Sequence, residues 1–313
     1  MDTKHEPAML GEVVEGLHIR PDGIYVDATI GAGGHAEAIL QQLGSGGILV
    51  GIDWDGDAVE FAKKRLARYS KQLRICRGNF ADLAAILGGV GMEQVDGVLL
   101  DLGISSLQLD RANRGFSFQR EGPLDMRMDS RRKLNAEMVV NRTPCEELGR
   151  LLRQYGEERK AKRIAGAIEL RRRQKPIRTT RELADIVVGA VGRPPRSRIH
   201  PATRTFLALR IAVNDEMANL DGGLKAAVKC LGPGGRLCAI SFHSLEDRIV
   251  KRVFTSFARG CVCPPKLTVC ACGKKPMLRI VTKKPVLPGP DEVARNPRCR
   301  SAKMRIAERT EEA

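Results

Sequence analysis

Residues 25–40 read YVDATIGAGGHAEAIL. An apolar run ending in Asp27 passes into a glycine cluster and then into a helical pattern. That order is the signature of a parallel strand, a tight turn and a helix. Gly31-Ala32-Gly33-Gly34-His35-Ala36 fits the G-x-G-x-x-A pattern of nucleotide-binding loops, and Asp53 follows 20 residues after Gly33, near the spacing of a ribose-binding acid. Glycine spacing alone leaves the ligand open.

Working outward, strand and helix signals alternate from residue 23 to 101. Strands are expected at GIYVDAT (23–29), GILVGID (47–53), QLRICRG (72–78) and VDGVLLDL (95–102), with helical patterns between them. Short apolar runs separated by helices imply a parallel sheet covered on both faces. From about 110 to 200 no convincing strand appears. Thr143-Pro144-Cys145-Glu146 and Thr179-Thr180-Arg181-Glu182 read as capping boxes, AKRIAGAIELRRR has a helical period, and the segment ends at the proline-rich GRPPRSRIHP. The α/β pattern then resumes. TRTFLALRIAVNDEMANLDGGLKAAVKCL reads as one long helix, GGRLCAISF (234–242) as a fifth strand, and Ser244-Leu245-Glu246-Asp247 as a helix cap. MLRIVTK (277–283) and AKMRIAE (302–308) fit a terminal antiparallel pair. The expectation is a discontinuous seven-stranded α/β domain, residues 1–109 and 200–313, interrupted by a mostly helical insertion, residues 110–199.

The chain has 313 residues, 42% of them hydrophobic, enough for sizeable cores. The stretch MDTKHEPAML carries no apolar signal segment, and no run of about 18 apolar residues suits a membrane span. Nine cysteines without a secretory signal fit a reduced, cytoplasmic protein. Net charge is +16, and residues 110–204 supply 24 Lys and Arg against 12 Asp and Glu. One basic segment attached to a nucleotide-type domain points to a nucleic-acid partner. The runs Arg171-Arg172-Arg173 and Arg193, Arg196 and Arg198 are its candidate phosphate contacts.

A pyrophosphate needs a helix N-terminus unobstructed by acids. Here the first strand ends in Asp27 and the fourth in Asp101. Two carboxylates at the ends of central strands repel a pyrophosphate but suit a ligand carrying a sulfonium and an ammonium, and Asp53 suits ribose hydroxyls in either case. A nucleotide-dependent oxidoreductase and a non-catalytic RNA-binding protein remain as competing readings.

DLGISSLQLD (101–110) with RGFSF (114–118), GPLDMRMD (122–129), HPATRTFLALRIAVNDE (200–216) and ISFHSLEDRIVKR (240–252) closely resemble the bacterial ribosomal RNA small-subunit methyltransferase H family. The resemblance runs from HEPAML near the N-terminus to NPRCRSAKMRIAER. It implies a class I, Rossmann-like methyltransferase domain with a helical insertion that binds RNA. It also implies S-adenosylmethionine as cofactor, and N4-methylation of a decoding-site cytidine in 16S rRNA of the small ribosomal subunit. No membrane or DNA partner is expected. By motif, the cofactor contacts fall on Gly33, Gly34, His35, Asp53, Phe80, Asp101 and Gln108. The (D/N/S)-P-P-aromatic motif of many amino-methyltransferases is missing here, where Asp101-Leu102-Gly103-Ile104-Ser105 stands instead. Asp101 is therefore the candidate acceptor for the amine, and His243, just past the fifth strand, the second catalytic candidate.

Residues 261–272 read CVCPPKLTVCAC, a C-x-C pair on each side of six residues. Cys261, Cys263, Cys270 and Cys272 are expected to hold a structural zinc ion, although the spacing departs from C-x2-C. Metal-free reduced cysteines and a redox disulfide are the alternatives.

Overall fold

The computed structural model describes residues 6–192, 199–261, 263 and 271–311. Arg193, Arg196, Arg198 and Cys270 lie outside the described residues. The chain forms two compact units, Met1–Gly103 with Met217–Ala313, and Ile104–Glu216. The helical unit is thus wider than the 110–199 expected, taking in the segment before it and the helix after it.

Along the chain the first unit opens with α1 (Leu10–Leu17), β1 (Ile24–Asp27), α2 (Gly34–Gln42), β2 (Ile48–Asp53), α3 (Gly56–Arg65), β3 (Leu73–Arg77), α4 (Leu83–Gly89) and β4 (Val95–Asp101). The second unit holds α5 (Ser106–Asp110), α6 (Ala136–Arg142), α7 (Cys145–Gly156), α8 (Ala161–Gln174), α9 (Thr180–Val191) and α10 (Thr203–Asn214). The first unit is completed by α11 (Glu216–Cys230), β5 (Leu231–Ser241), α12 (Ser244–Ala258), β6 (Leu278–Ile280), α13 (Pro290–Arg295) and β7 (Lys303–Arg309).

The seven strands form one sheet in the order β3-β2-β1-β4-β5-β7-β6. β1 to β5 run parallel, whereas β7 runs antiparallel to both β5 and β6. This is the Rossmann-like α/β fold that the resemblance implies. Successive residues enter opposite faces, as the period of a strand demands. Val26, Val50 and Leu100 join Leu224 and Phe254 on one side, while Tyr25, Leu49 and Leu99 join Val13 and Ile39 on the other. Helices therefore cover both faces, which is why the strand sequences are nearly all apolar rather than alternating. The strand order reverses between β1 and β4, and in open α/β sheets the crevice beyond that point receives ligands.

In the helical unit α7 packs on α8 and α10, and α8 on α9. Thr179 and Glu182 form the expected reciprocal cap of α9. The other two caps differ. Pro144, with no side-chain hydrogen bond, is the N-cap of α7, and Thr143 makes none to that helix end. His243, not Ser244, caps α12, because it is the last residue with extended dihedrals. The long helix expected from 203 to 231 is two helices, broken at Asp215, which takes a left-handed conformation at φ 51°. The preceding Asn214 explains the stop. It is fully buried, its Oδ1 accepts from Met128 N at 2.8 Å, and its Nδ2 donates to Met126 O at 2.8 Å. Met126 itself sits at φ 60°, so one side chain fixes both ends of a strained turn.

Replacing Asn214 with Ala strands these buried backbone groups, each worth about 1–3 kcal/mol when unsatisfied. Urea unfolding should show a loss of about 2–4 kcal/mol, and an unchanged midpoint would show that the turn does not depend on Asn214.

Candidate active site

The site is built where β1, β2 and β4 end. Asp27 closes β1 fully buried, and its Oδ1 accepts from Thr29 N at 3.2 Å. Thr29 Oγ1 in turn accepts from Asp101 N at 2.7 Å, tying the end of β1 to the end of β4. Ile30 N donates to Ile52 O at 2.9 Å, so the chain continues along β2 before it turns. Gly31 N donates to Asp53 Oδ2 at 3.0 Å, and Asp55 N donates to Asp53 Oδ1 at 2.9 Å. Asp53 thus shapes the glycine loop as well as standing at its rim. Gly33 lies at φ 81°, a conformation that side-chain-bearing residues rarely adopt, and starts α2.

Residues missed by the sequence reading form the floor of this loop. A Cβ on Gly34 would stand 3.0 Å from Pro7. His35 Nε2 lies 2.9 Å from Ala8 O, and Met9 N donates to Glu292 Oε1 of α13 at 2.6 Å. Ala8 falls in the quoted HEPAML stretch but had no role read for it, and no motif signals Glu292, because their contributions are a backbone carbonyl and a contact across most of the chain.

The tautomer of His35 follows from that floor. A carbonyl oxygen only accepts, so Nε2 carries a proton and donates to Ala8 O. The other ring nitrogen, Nδ1, then faces Asp101 Oδ2 at 3.5 Å. Two lone pairs cannot face one another there without a proton between them or on one of them. Burial supplies the reason for the proton to stay. It raises Asp27 to about 7, where the nearby Asp101 adds to the rise, and it raises Asp101 to about 7 with help from Glu246. Burial pushes His35 the opposite way, toward the neutral ring. Asp101 Oδ1 is also sealed from solvent, and no group among the described residues donates to it. An orphaned buried acceptor beside a glycine cradle fits a ligand bearing N–H donors or positive charge.

The remaining expected residues divide. Phe80 begins a short helical turn capped by Asn79, and its ring rests on the bare Gly223 backbone of α11, half in the core and half exposed. Gln108 lies in the helical unit, buried, where it completes the capping box of α5 with Ser105. His243 caps α12, with Nδ1 accepting from Glu246 N at 3.5 Å and Nε2 lying 3.0 Å from Glu246 Oε1. Glu246, 2% exposed, also accepts from the backbone of Phe242 and His243. His243 Nδ1 is therefore engaged with its own helix, while Nε2 is buried without a hydrogen bond among the described residues. Cys261, Cys263 and Cys272 cluster elsewhere in the first unit, between α12 and β6.

Comparison with known proteins settles the family. The model described as the MraW methylase family matches residues 2–310. The chain belongs to the MraW methylase family. It is accordingly an enzyme, a methyltransferase of the S-adenosylmethionine-dependent class. Relatives in the family include a ribosomal RNA small subunit methyltransferase H of Halothermothrix orenii, 50% identical over 307 residues and covering 98% of each chain. One of the same name from Geobacter sulfurreducens is 51% identical over 310 residues, covering 99% of this chain and all of its own. A solved structure described as a putative rRNA methylase from Clostridium thermocellum aligns with 97% of this chain and 98% of its own at a TM-score of 0.46 and 10% identity, and nothing is built on that likeness.

The raised carboxyls make stability depend on pH. Asp27 and Asp101 keep their protons in the fold between about pH 4 and about pH 7, where the unfolded chain has lost them. Their contribution is complete below that window and is lost as pH rises through about 7. Asp101→Asn should flatten the decline of unfolding free energy with pH, by up to about 1.4 kcal/mol per pH unit between pH 5 and 7. Identical slopes in urea titrations would show that Asp101 is ionised throughout.

Proposed function

We propose that this methyltransferase uses S-adenosylmethionine to methylate the N4 amine of a decoding-site cytidine in 16S rRNA of the small ribosomal subunit. The names of its relatives support the RNA, and the motifs quoted above support the base. The single observation that carries the chemistry is the buried Asp101 Oδ1, an acceptor without a donor at the end of β4.

S-adenosylmethionine supplies a methyl group made electrophilic by a sulfonium. In this reading the backbone at Gly33 and Gly34, together with His35, lines the ligand. Asp53 takes the ribose hydroxyls, and Phe80 offers its exposed ring to adenine. A cytosine amine is a poor nucleophile because its lone pair is delocalised into the ring. Asp101 Oδ1 accepts an amine N–H, which localises the lone pair for in-line attack at a separation of about 3–3.5 Å. The nitrogen–methyl bond forms as the sulfur–methyl bond breaks, sulfur keeps the electron pair, and one proton leaves the nitrogen. Asp101 Oδ1 holds that N–H during the attack, and the proton is released to solvent as the product leaves. His243 orients the rim through α12. Asp27 and Asp101 Oδ1 are sealed from water while the rest of the Asp101 carboxyl is partly exposed, and the target base leaves its stack to reach the site.

The helical unit supplies RNA affinity in this reading. Residues 104–216 hold 25 Lys and Arg against 14 Asp and Glu. Several of these cations are already committed. Arg172 donates to Val140 O and Thr143 O and pairs with Glu169, and Arg210 pairs with Glu216 at 2.7 Å. Arg150, Arg153, Arg159, Lys162 and Arg163 are exposed on α7, α8 and the turn between them, with no carboxylate partner among the described residues. These are better phosphate contacts than Arg172.

The test is methyl transfer to small subunits from a strain lacking the modification, with the methylated base mapped by mass spectrometry. Absence of the methyl group from small-subunit rRNA would overturn the reading. Asp53→Ala should weaken S-adenosylmethionine binding by about 10- to 150-fold, the cost of one charged hydrogen-bond partner. Unchanged affinity by calorimetry would remove Asp53 from the site. Replacing Arg150, Arg153, Lys162 and Arg163 with Gln should lower RNA affinity. It should also reduce the slope of log affinity against log salt by roughly 0.7–0.9 per lost contact. An unchanged slope would mean that these side chains do not touch the RNA backbone.

A further inference from the structure

The cysteine loop lies outside the methyl-transfer site and has its own geometry. It leaves the end of α12 and returns at β6, and its base is clamped. Met277 N donates to Phe257 O at 2.8 Å, Lys274 Nζ donates to Ser256 O at 3.3 Å, and Thr310 N of the segment after β7 donates to Met277 O at 3.1 Å. Above that base the sulfurs of Cys261, Cys263 and Cys272 all lie within 4.8 Å of one another. Cys261 Sγ and Cys272 Sγ are 3.8 Å apart.

That distance excludes a disulfide and is shared by a thiol–thiol hydrogen bond and by two ligands of one metal ion. A disulfide needs about 2.05 Å. Four thiolates around zinc, each about 2.3 Å from the metal, form a tetrahedron whose edge is about 3.8 Å. The backbone points the same way. Cys263 N donates to Cys261 Sγ at 3.4 Å, and Ala271 N donates to Cys263 Sγ at 3.4 Å. N–H groups aimed at sulfur orient it, as outer-shell donors do around metal ligands. Lys274 and Lys275 follow directly, adding positive charge beside a cluster that stays negative after binding a divalent ion. Soft thiolates in this geometry select zinc over hard cations.

We propose that Cys261, Cys263 and Cys272 bind one zinc ion through their thiolates and that the ion ties the chain just after α12 to the chain just before β6. Each thiol gives up its proton on binding, and no electron is transferred. The role is structural, since the cluster stands apart from Asp27, Asp53 and Asp101. Cys270, outside the described residues, is the sequence's candidate for a fourth ligand.

The experiment reads metal directly. Full-length protein purified without chelator should contain about one zinc per chain by elemental analysis. The same protein refilled with cobalt should show a sulfur-to-cobalt charge-transfer band. Cys261→Ser with Cys272→Ser should lose both the zinc and the band and melt at a lower temperature, whereas Cys76→Ser, in β3, should keep its zinc. A freshly purified, reduced protein with no zinc and no cobalt band overturns the proposal. So does zinc that survives the double substitution. Neither readout depends on methyl transfer, so failure here and failure of the proposed activity are separable.

Discussion

Two carboxyl groups, Asp27 and Asp101, stand where the sheet reverses direction, and the described residues give neither a lysine nor an arginine partner. Burying an uncompensated charge costs far more than any single contact returns. The structure meets this cost by keeping protons on the pair and by spending local donors on what remains. Thr29 links the two strand ends, and His35, its tautomer fixed by Ala8, faces Asp101. The glycine loop, the N-terminal segment and α13 are all arranged around that requirement. The site is destabilised in advance for a cationic ligand, whose arrival would relieve the strain.

Much of this was legible in the residues. Apolar runs separated by helices are dictated by a sheet with two covered faces, so β1 to β5 and the terminal pair follow from pattern alone. The places of Asp27, Asp53 and Asp101 at strand ends were legible too, because each closes an apolar run. The failures share a cause. Thr143 and Ser244 have capping side chains, but the cap belongs to whichever residue leaves helical dihedrals, and that is decided by the chain's path. Asp215 breaks a helix that its sequence would continue, because Asn214 is needed by a turn about 90 residues earlier. Arg172 looks like a surface cation in a run of three and is instead a ligand for the carbonyls that end α6. Contacts between distant segments leave no local trace.

The charge of the helical unit and the acids of the sheet unit answer different needs. Exposed arginines follow phosphates, which are the same at every nucleotide, and so fix position without reading sequence. In the proposed function, choice of base falls to the small acceptor set at the strand ends. Such a division lets binding strength vary with salt while the chemistry does not.

The floor of the glycine loop also has a history in time. Glu292 reaches back to Met9 across 283 residues, and Ala8 beside it sets His35. A chain emerging from the ribosome makes its loop first and the brace for that loop almost last. At about 5–20 residues per second the delay is about 15–55 s. Throughout that interval Met9 N, next to the carbonyl that His35 meets, lacks the carboxylate it pairs with in the finished fold.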